Sequence, residues 1–179
     1  MGVGYLTGQG GGGSNIKSIQ TGSLSMTSGS TFDVTISEID LLSSVATVTV
    51  KTSSPTQSAG DIQAIQIEIK NSTTITIKRG ATTSTEVTIK WVVIEFNNVK
   101  SLQIGDYTLS SSSGYTPISS INKSKSILFF SFYQLLSSRS TAIGSFLTIG
   151  EISSIADELL FSNAYEGTKY IHWQVIEFK

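Results

Sequence analysis

The sequence has no cysteine, one histidine and two prolines among its 179 residues. Without cysteine, the chain has no disulfide framework and no thiolate site. A Ser-His-acid triad would depend on His172 alone, and the strand pattern predicts that this residue is half-exposed beside Trp173. Scattered carboxylates and one histidine give neither zinc nor calcium ligand spacing. The chain is therefore predicted not to be an enzyme, with no catalytic, cofactor-binding or metal-binding residues.

Charge is scarce as well, because charged residues make up 14% of the chain and the formal net charge is −1. Ordinary soluble domains contain about 25% charged residues. No basic field is present to attract a phosphate backbone, so we predict no nucleic-acid partner. No apolar run approaches the ~20 residues that span a bilayer, so we predict no membrane partner. The N-terminus also lacks the charged and apolar regions of a secretory signal.

The chain instead contains short runs in which β-branched and polar residues alternate. Clusters of Ser, Gly, Asn and Pro separate these runs at roughly regular spacing, a pattern typical of antiparallel strands. In the first half the runs are Ile16–Gly22, Thr31–Ile36, Val45–Thr52, Asp61–Lys70, Thr74–Lys78 and Glu86–Phe96. They predict an all-β fold.

Two motifs occur twice in the chain. The hexamer Trp-Val-Val-Ile-Glu-Phe at 91–96 returns at 173–178 with one change, and the heptapeptide Ile-Lys-Ser-Ile-Gln-Thr-Gly at 16–22 returns at 99–105 as Val-Lys-Ser-Leu-Gln-Ile-Gly. The second hexamer ends one residue before the C-terminus. We interpret the pattern as an internal duplication that gives tandem antiparallel β-sandwich units at residues 16–97 and 98–179.

Residues 1–15 form a Gly-rich N-terminal arm ahead of the first unit. The four consecutive glycines at 10–13 predict a flexible segment, because glycine loses much conformational entropy on ordering. A disordered leader is the favoured interpretation. The alternative is an arm that becomes ordered against a neighbouring subunit.

The closing strands contain the residues that we predict to be structural: Trp91, Glu95, Phe96, Trp173, Glu177 and Phe178. Glu95 and Glu177 recur on the strand face of the tryptophans. We expect each to pair with a lysine or to cap backbone amides at the sheet edge. Gln174 replaces Val92 of the first hexamer. We therefore expect the face of Val92 to be buried, in a place such as the space between the units, and that of Gln174 to be wetter.

The second unit is richer in aromatic residues, and its segment 152–162 departs from the strand pattern. Core filling is the favoured role of the aromatics, and a sugar-stacking surface that includes Tyr133, Tyr165 and Tyr170 is the alternative. In segment 152–162 the apolar spacing and a possible cap at Ser153 predict a short helical turn. A strand pair around 158–161 is the alternative.

Exposed strand edges are a further expectation from the composition. The strands are rich in Ser and Thr, and only Pro55 and Pro117 are available to guard an edge. Unguarded edges can template the pairing of another chain. We therefore predict a homo-oligomer whose edges are used in subunit packing.

The opening heptapeptide after a Gly-rich leader resembles short structural proteins of tailed bacteriophages. The same resemblance extends to the passage 71–81 followed by 87–96, because those proteins have a β domain that closes with a Trp/Phe-x-Val-Val/Ile-Glu-Phe strand. It covers the first unit well and the second mainly at its two ends. Such domains occur in head decoration proteins, head fibres and tail-associated proteins, and they offer no catalytic residues to transfer.

The resemblance implies a non-enzymatic virion protein that decorates the capsid exterior or forms part of the tail. Its expected partners are capsid or tail subunits, and its expected location is the virion, assembled in the host cytoplasm. The alternative is a carbohydrate-binding receptor module of a tail fibre, which would bind a host-surface glycan. A glycan-degrading tail enzyme is a third interpretation.

Overall fold

The structure, a computed structural model, describes residues 4–6, 15–26, 31–52, 65–80, 86–134, 148–153, 157–163 and 168–179. The fold of these residues is all-β, as the alternating sequence pattern predicts. The strands are β1 Gly4–Leu6, β2 Ile16–Met26, β3 Thr31–Thr35, β4 Ser44–Thr52, β5 Ile65–Asn71, β6 Thr74–Arg79, β7 Val87–Phe96, β8 Val99–Leu109, β9 Ser113–Pro117, β10 Ser126–Gln134, β11 Thr148–Ile152, β12 Glu158–Asn163 and β13 Lys169–Phe178. A 3-10 turn at Lys123–Lys125 precedes β10.

The strands form four small antiparallel sheets, two in each half of the chain. In the first half the strand orders are β1-β2-β7-β4 and β3-β6-β5. In the second half they are β8-β13-β10 and β9-β12-β11. The two halves therefore share one β-sandwich-like arrangement, apart from β1, which is added beside β2. This agreement is the one that a duplication would produce, although the duplication itself stays a prediction from the sequence.

Each half has its own apolar core around a tryptophan of the closing strand. Trp91 is fully buried among residues of both sheets of the first half, and Trp173 occupies the same place in the second. Each ring lies over a glycine of the neighbouring strand: a Cβ added at Gly22 would lie 2.3 Å from Trp91 Cζ2, and one at Gly105 would lie 2.5 Å from Trp173 Cζ2. This close approach explains why glycine ends both copies of the heptapeptide.

The halves meet at a smaller third core. Val45, Phe96 and Ile176 are buried there, with Phe129 and Phe178 packed against them. The Phe96 and Phe178 rings lie edge to face with centroids 5.4 Å apart. Aromatic pairs in this arrangement contribute about 0.5–1.5 kcal/mol beyond the burial of their area. The last residues of the two closing strands therefore hold the halves together.

Polar side chains of the second half also bind backbone groups at the strand edges of the first. β4 and β5 are the outermost strands on one side of their sheets. The Gln174 Oε1 accepts a hydrogen bond from the Ala46 amide at 3.0 Å. The Ser131 hydroxyl accepts from the Ile67 amide at 3.0 Å and donates to the Ile67 carbonyl at 3.2 Å. Side chains on β13 and β10 thus replace a missing neighbouring strand.

The expectation for Val92 and Gln174 was wrong, because their environments are the reverse. Gln174 is 2% exposed and Val92 is half-buried. The physical reason is the amide of Ala46, which is buried by the second half and needs an acceptor there. A valine at position 174 would leave the Ala46 amide without an acceptor. Val92, at the equivalent position of the first half, is only half-buried.

The helical turn expected in segment 152–162 is also wrong for residues 158–162, whereas residues 154–156 lie outside the described residues. Residues 158–163 form β12, which pairs with β11 and β9, so the strand alternative is confirmed. The periodicity misled because this short strand has apolar side chains on both faces. Leu159 and Phe161 point into the core of the second half, while Leu160 lies on the other side and is half-buried.

Part of the N-terminal arm is described as well. Residues 4–6 form β1, which pairs antiparallel with β2 of the same chain. The rest of the predicted arm, apart from Asn15, lies outside the described residues. At the junction of the halves Asn98 has a φ of 58°, in the left-handed region that asparagine tolerates better than most residues.

Replacing Gln174 with valine, the residue of the first hexamer, tests the edge contact. We expect Gln174→Val to lower the free energy of unfolding by about 1–3 kcal/mol, because the Ala46 amide loses its acceptor. Urea unfolding followed by tryptophan fluorescence measures the change. The reciprocal Val92→Gln is the control and should stay within about 0.5 kcal/mol of wild type. Equal effects of the two substitutions would contradict the assigned role of Gln174.

Candidate functional site

The two closing strands place the carboxylates of Glu95 and Glu177 at equivalent positions. Glu95 lies opposite Ser18 of β2, and Glu177 lies opposite Ser101 of β8. Both side chains are nearly buried, with 7% and 2% of their surface exposed. Buried carboxylates are candidates for acid-base chemistry, so the contacts of each decide what it can do.

Glu95 is held by three donors. The Lys17 ammonium lies 2.7 Å from its Oε1, and the Ser18 hydroxyl donates to its Oε2 at 3.0 Å. The backbone amide of Asp40 donates to Oε1 at 3.2 Å. The carboxylate therefore joins β2, β7 and the segment between β3 and β4.

Glu177 has the same three kinds of donor. The Lys100 ammonium lies 2.9 Å from its Oε1, and the Ser101 hydroxyl donates to its Oε2 at 3.2 Å. The backbone amide of Asn122 donates to Oε1 at 2.9 Å. Both carboxylates thus pair with a lysine and cap a backbone amide, as the sequence led us to expect.

These contacts hold both carboxylates in the ionised form. Burial by itself opposes ionisation of Glu95, but the hydrogen bonds from Lys17, from the Asp40 amide and from Ser18 together bring its pKa below the ordinary value. The Asn122 amide and Lys100 likewise lower the pKa of Glu177. A general acid needs a raised pKa, so neither carboxylate is suited to that role at neutral pH.

A serine, the histidine and an aspartate stand in one row across the second half. Ser131 of β10 lies opposite His172 of β13, which lies opposite Asp106 of β8. The His172 Nδ1 is 2.9 Å from an Asp106 oxygen. Sequence reasoning missed this row, because the three residues come from strands far apart in the chain.

The contacts of the row favour a structural role over nucleophilic catalysis. The Ser131 hydroxyl donates its proton to the Ile67 carbonyl and accepts from the Ile67 amide, so it is bound to β5 rather than to the imidazole. His172 is 7% exposed, so the expectation that it is half-exposed is wrong. It is buried because its face of β13 packs against the first half.

A second repeated contact joins the heptapeptide to the following segment. The Gln20 side chain donates to the Ser37 carbonyl at 3.0 Å and accepts from its amide at 2.8 Å. Gln103 makes the same pair of bonds with Ser119, at 2.9 and 2.7 Å. Sequence analysis did not assign this role, although the glutamine is present in both copies of the heptapeptide.

The structure brings two of the three tyrosines of the possible ligand surface together. Tyr133 and Tyr170 stack with ring centroids 4.9 Å apart and planes 15° apart. They line a hollow of about 190 Å³ beside Lys78 and Asp106. Tyr165 lies outside the described residues.

The hollow is small for a ligand site. Typical small-molecule pockets enclose about 300–1,000 Å³. The two rings already contact each other, which reduces the aromatic surface that a sugar could stack on. We therefore regard the tyrosine pair as a packing contact between the neighbouring strands β10 and β13.

The described parts of the chain contain no candidate for a metal site or for a membrane-spanning helix. No group of three or more His, Asp or Glu side chains there is arranged to hold a metal ion. No helix in those parts is long and apolar enough to cross a membrane. Comparison with protein families, with curated proteins and with solved structures gives no match for this chain.

The pKa shifts predict how stability depends on pH. Above the ordinary carboxyl pKa of about 4.5, Glu95 is ionised in both states and its contribution is complete. As the pH falls below that value the unfolded chain takes up the proton first, so stability is lost until the pH passes the lower pKa of the folded state. Glu95→Gln should lower stability at pH 7 by about 1–2 kcal/mol and flatten this acid-side loss.

Chemical unfolding at a series of pH values from 7 down to 3 measures the effect. Glu38→Gln is the matched control, because it also removes one carboxylate but the side chain of Glu38 is exposed, unlike that of Glu95. A Glu95→Gln profile parallel to that of Glu38→Gln would show that the buried carboxylate does not stabilise the fold.

Proposed function

We propose that this chain is a non-enzymatic structural protein of a tailed-phage particle, on the outside of the capsid or in the tail. The observation that carries the proposal is that buried carboxylate and hydroxyl side chains of this protein bind backbone groups. Glu95 and Glu177 cap backbone amides, and Ser131 binds β5. The residues best suited to chemistry are thus committed to holding strands and halves together.

The resemblance of the closing strands to those of phage structural proteins supports the same proposal. In this chain those strands place Trp91 and Trp173 in the two cores, and Phe96 and Phe178 between the halves. The motif therefore stabilises the two β-sandwich-like halves and leaves their outer surfaces available for contacts with other subunits. Attachment would be multivalent, since weak contacts repeated over a symmetric particle add up to firm binding.

Localisation on particles tests the proposal. We expect the protein to copurify with particles through a density gradient at many copies per particle. We also expect immunogold labelling of intact particles to place it on the head or the tail, with particles from a strain whose coding sequence is disrupted as the control. Recovery only in the particle-free fraction would contradict the proposal. Labelling confined to fibre tips, together with glycan binding that Tyr170→Ala abolishes, would favour the receptor module instead.

A further inference from the structure

A two-residue linker joins the two halves of the chain, and its backbone bonds divide between them. Only Asn97 and Asn98 lie between β7 and β8. The Asn97 amide donates to the Asn15 carbonyl at 2.7 Å, beside the start of β2 in the first half. The Asn98 carbonyl accepts from the Lys179 amide at 2.9 Å, beside the end of β13 in the second half. Rotation about the N–Cα bond of Asn98 therefore breaks neither of these bonds.

The backbone of Asn98 is strained in this arrangement. Its φ of 58° lies in the left-handed region, and no other described residue apart from the glycines has a positive φ. Residues other than glycine favour extended backbone over this region, although asparagine tolerates it better than most. An extended conformation at Asn98 would relieve the strain and move the second half away from the first. The linker therefore has the properties of a hinge, in which a few residues absorb a large change of dihedral angle.

Opening of the hinge in a single chain would uncover two strand edges. The amides of Ala46 on β4 and Ile67 on β5 would lose their acceptors, which are the side chains of Gln174 and Ser131. The second half of another copy offers the same acceptors in the same positions, because it has the same sequence and fold. The surface that opening uncovers is thus complementary to a second copy of this chain.

We propose that two copies of this chain exchange their second halves, so that the second half of each copy packs on the first half of the other. The linker is extended at Asn98 in this dimer, and the contacts between the halves are those of the single chain. Each contact forms twice about a twofold axis, the commonest symmetry of soluble oligomers. Short hinge loops under strain favour exchange of this kind.

The contacts between the halves are specific enough to select this partner. Ser131 both accepts from the Ile67 amide and donates to the Ile67 carbonyl, so its hydroxyl matches a strand edge at one position. The side-chain amide of Gln66 donates to the Tyr170 carbonyl at 3.4 Å. An unrelated protein would have to place an amide, a hydroxyl and a carbonyl at the same positions. Buried polar groups that lack such partners are costly, which disfavours other occupants of these edges.

The exchange goes beyond the proposed particle role, because it concerns the purified chain alone. A dimer would carry two copies of every outer surface, and paired surfaces strengthen multivalent attachment. Absence of the exchange would leave the particle test unaffected, and absence from particles would leave the exchange unaffected.

Sedimentation equilibrium of the full-length protein, refolded from urea at a series of concentrations, tests the hinge. We expect a monomer–dimer equilibrium in the wild-type protein. Asn98→Val should lower the dimer dissociation constant about tenfold or more, because a β-branched residue is strongly disfavoured at positive φ and the dimer extends two hinges. Asn98→Gly should raise the dissociation constant, because glycine adopts the left-handed conformation without strain.

Asn97→Val is the matched control for the hinge variants. It changes the neighbouring linker residue, whose φ is not positive and whose backbone bond stays within the first half in both forms. The dissociation constant should stay within about twofold of wild type. Circular dichroism verifies that all three variants fold.

Cross-linking of mixed variants tests the exchange itself. Lys78 of the first half and Asp106 of the second half line the same hollow, and both side chains are at least partly exposed. The chain has no cysteine, so only introduced cysteines react. Lys78→Cys and Asp106→Cys proteins, refolded together and treated with a short bifunctional thiol reagent, should give a covalent heterodimer. The reason is that one of the two hollows in the exchanged dimer then contains both cysteines.

A mixture of Lys70→Cys and Asp106→Cys proteins is the matched control for cross-linking. Lys70, like Lys78, forms an ion pair with a carboxylate of the first half, but it does not line the hollow. This mixture should give no covalent heterodimer.

Three results would overturn the proposal. The first is a monomer at every concentration in both the wild-type protein and Asn98→Val. The second is a dimer whose dissociation constant is the same in Asn98→Val and Asn98→Gly. The third is a mixture of Lys78→Cys and Asp106→Cys proteins that cross-links no more than the Lys70→Cys control.

Discussion

Backbone groups at the outer edges of β4 and β5 are bound by side chains of the second half of the chain. Gln174 and Ser131 supply the acceptors that a neighbouring strand would otherwise provide. A buried amide without an acceptor costs about 1–3 kcal/mol, so this interaction makes the packing of one half on the other specific as well as apolar. The aromatic contact of Phe96 with Phe178 then closes the same interface.

The contacts within each half are common to both halves, whereas the contacts between the halves are not. Contacts within a half recur almost unchanged: Glu95 and Glu177 are held by equivalent donors, and Gly22 and Gly105 each lie under a tryptophan. Contacts between the halves cannot recur, because one half presents an edge and the other presents a sheet face. The edge of β2 is therefore paired with the strand β1, whereas the edges of β4 and β5 are bound by side chains of the second half.

The all-β class and most strand positions followed from the alternating pattern, since that pattern reflects a sheet with one buried face. The pairing of Glu95 and Glu177 with lysines could also be predicted, because the glutamate of the hexamer and the lysine of the heptapeptide each recur in the second copy. The roles of Gln174 and His172 could not be predicted. Their burial depends on the packing of one half on the other, and such packing produces no periodic pattern in the sequence. The sequence pattern predicts a helical turn in place of β12, because a strand with apolar residues on both faces loses its period of two.

The most direct test of this account is amide hydrogen exchange, resolved by residue, in the intact protein. Protection of edge amides reports whether the second half covers β4 and β5 in solution. The account predicts that the amides of Ala46 and Ile67 exchange as slowly as those of β7, which is paired on both sides. Exchange at these two amides as fast as at unprotected surface amides would contradict it.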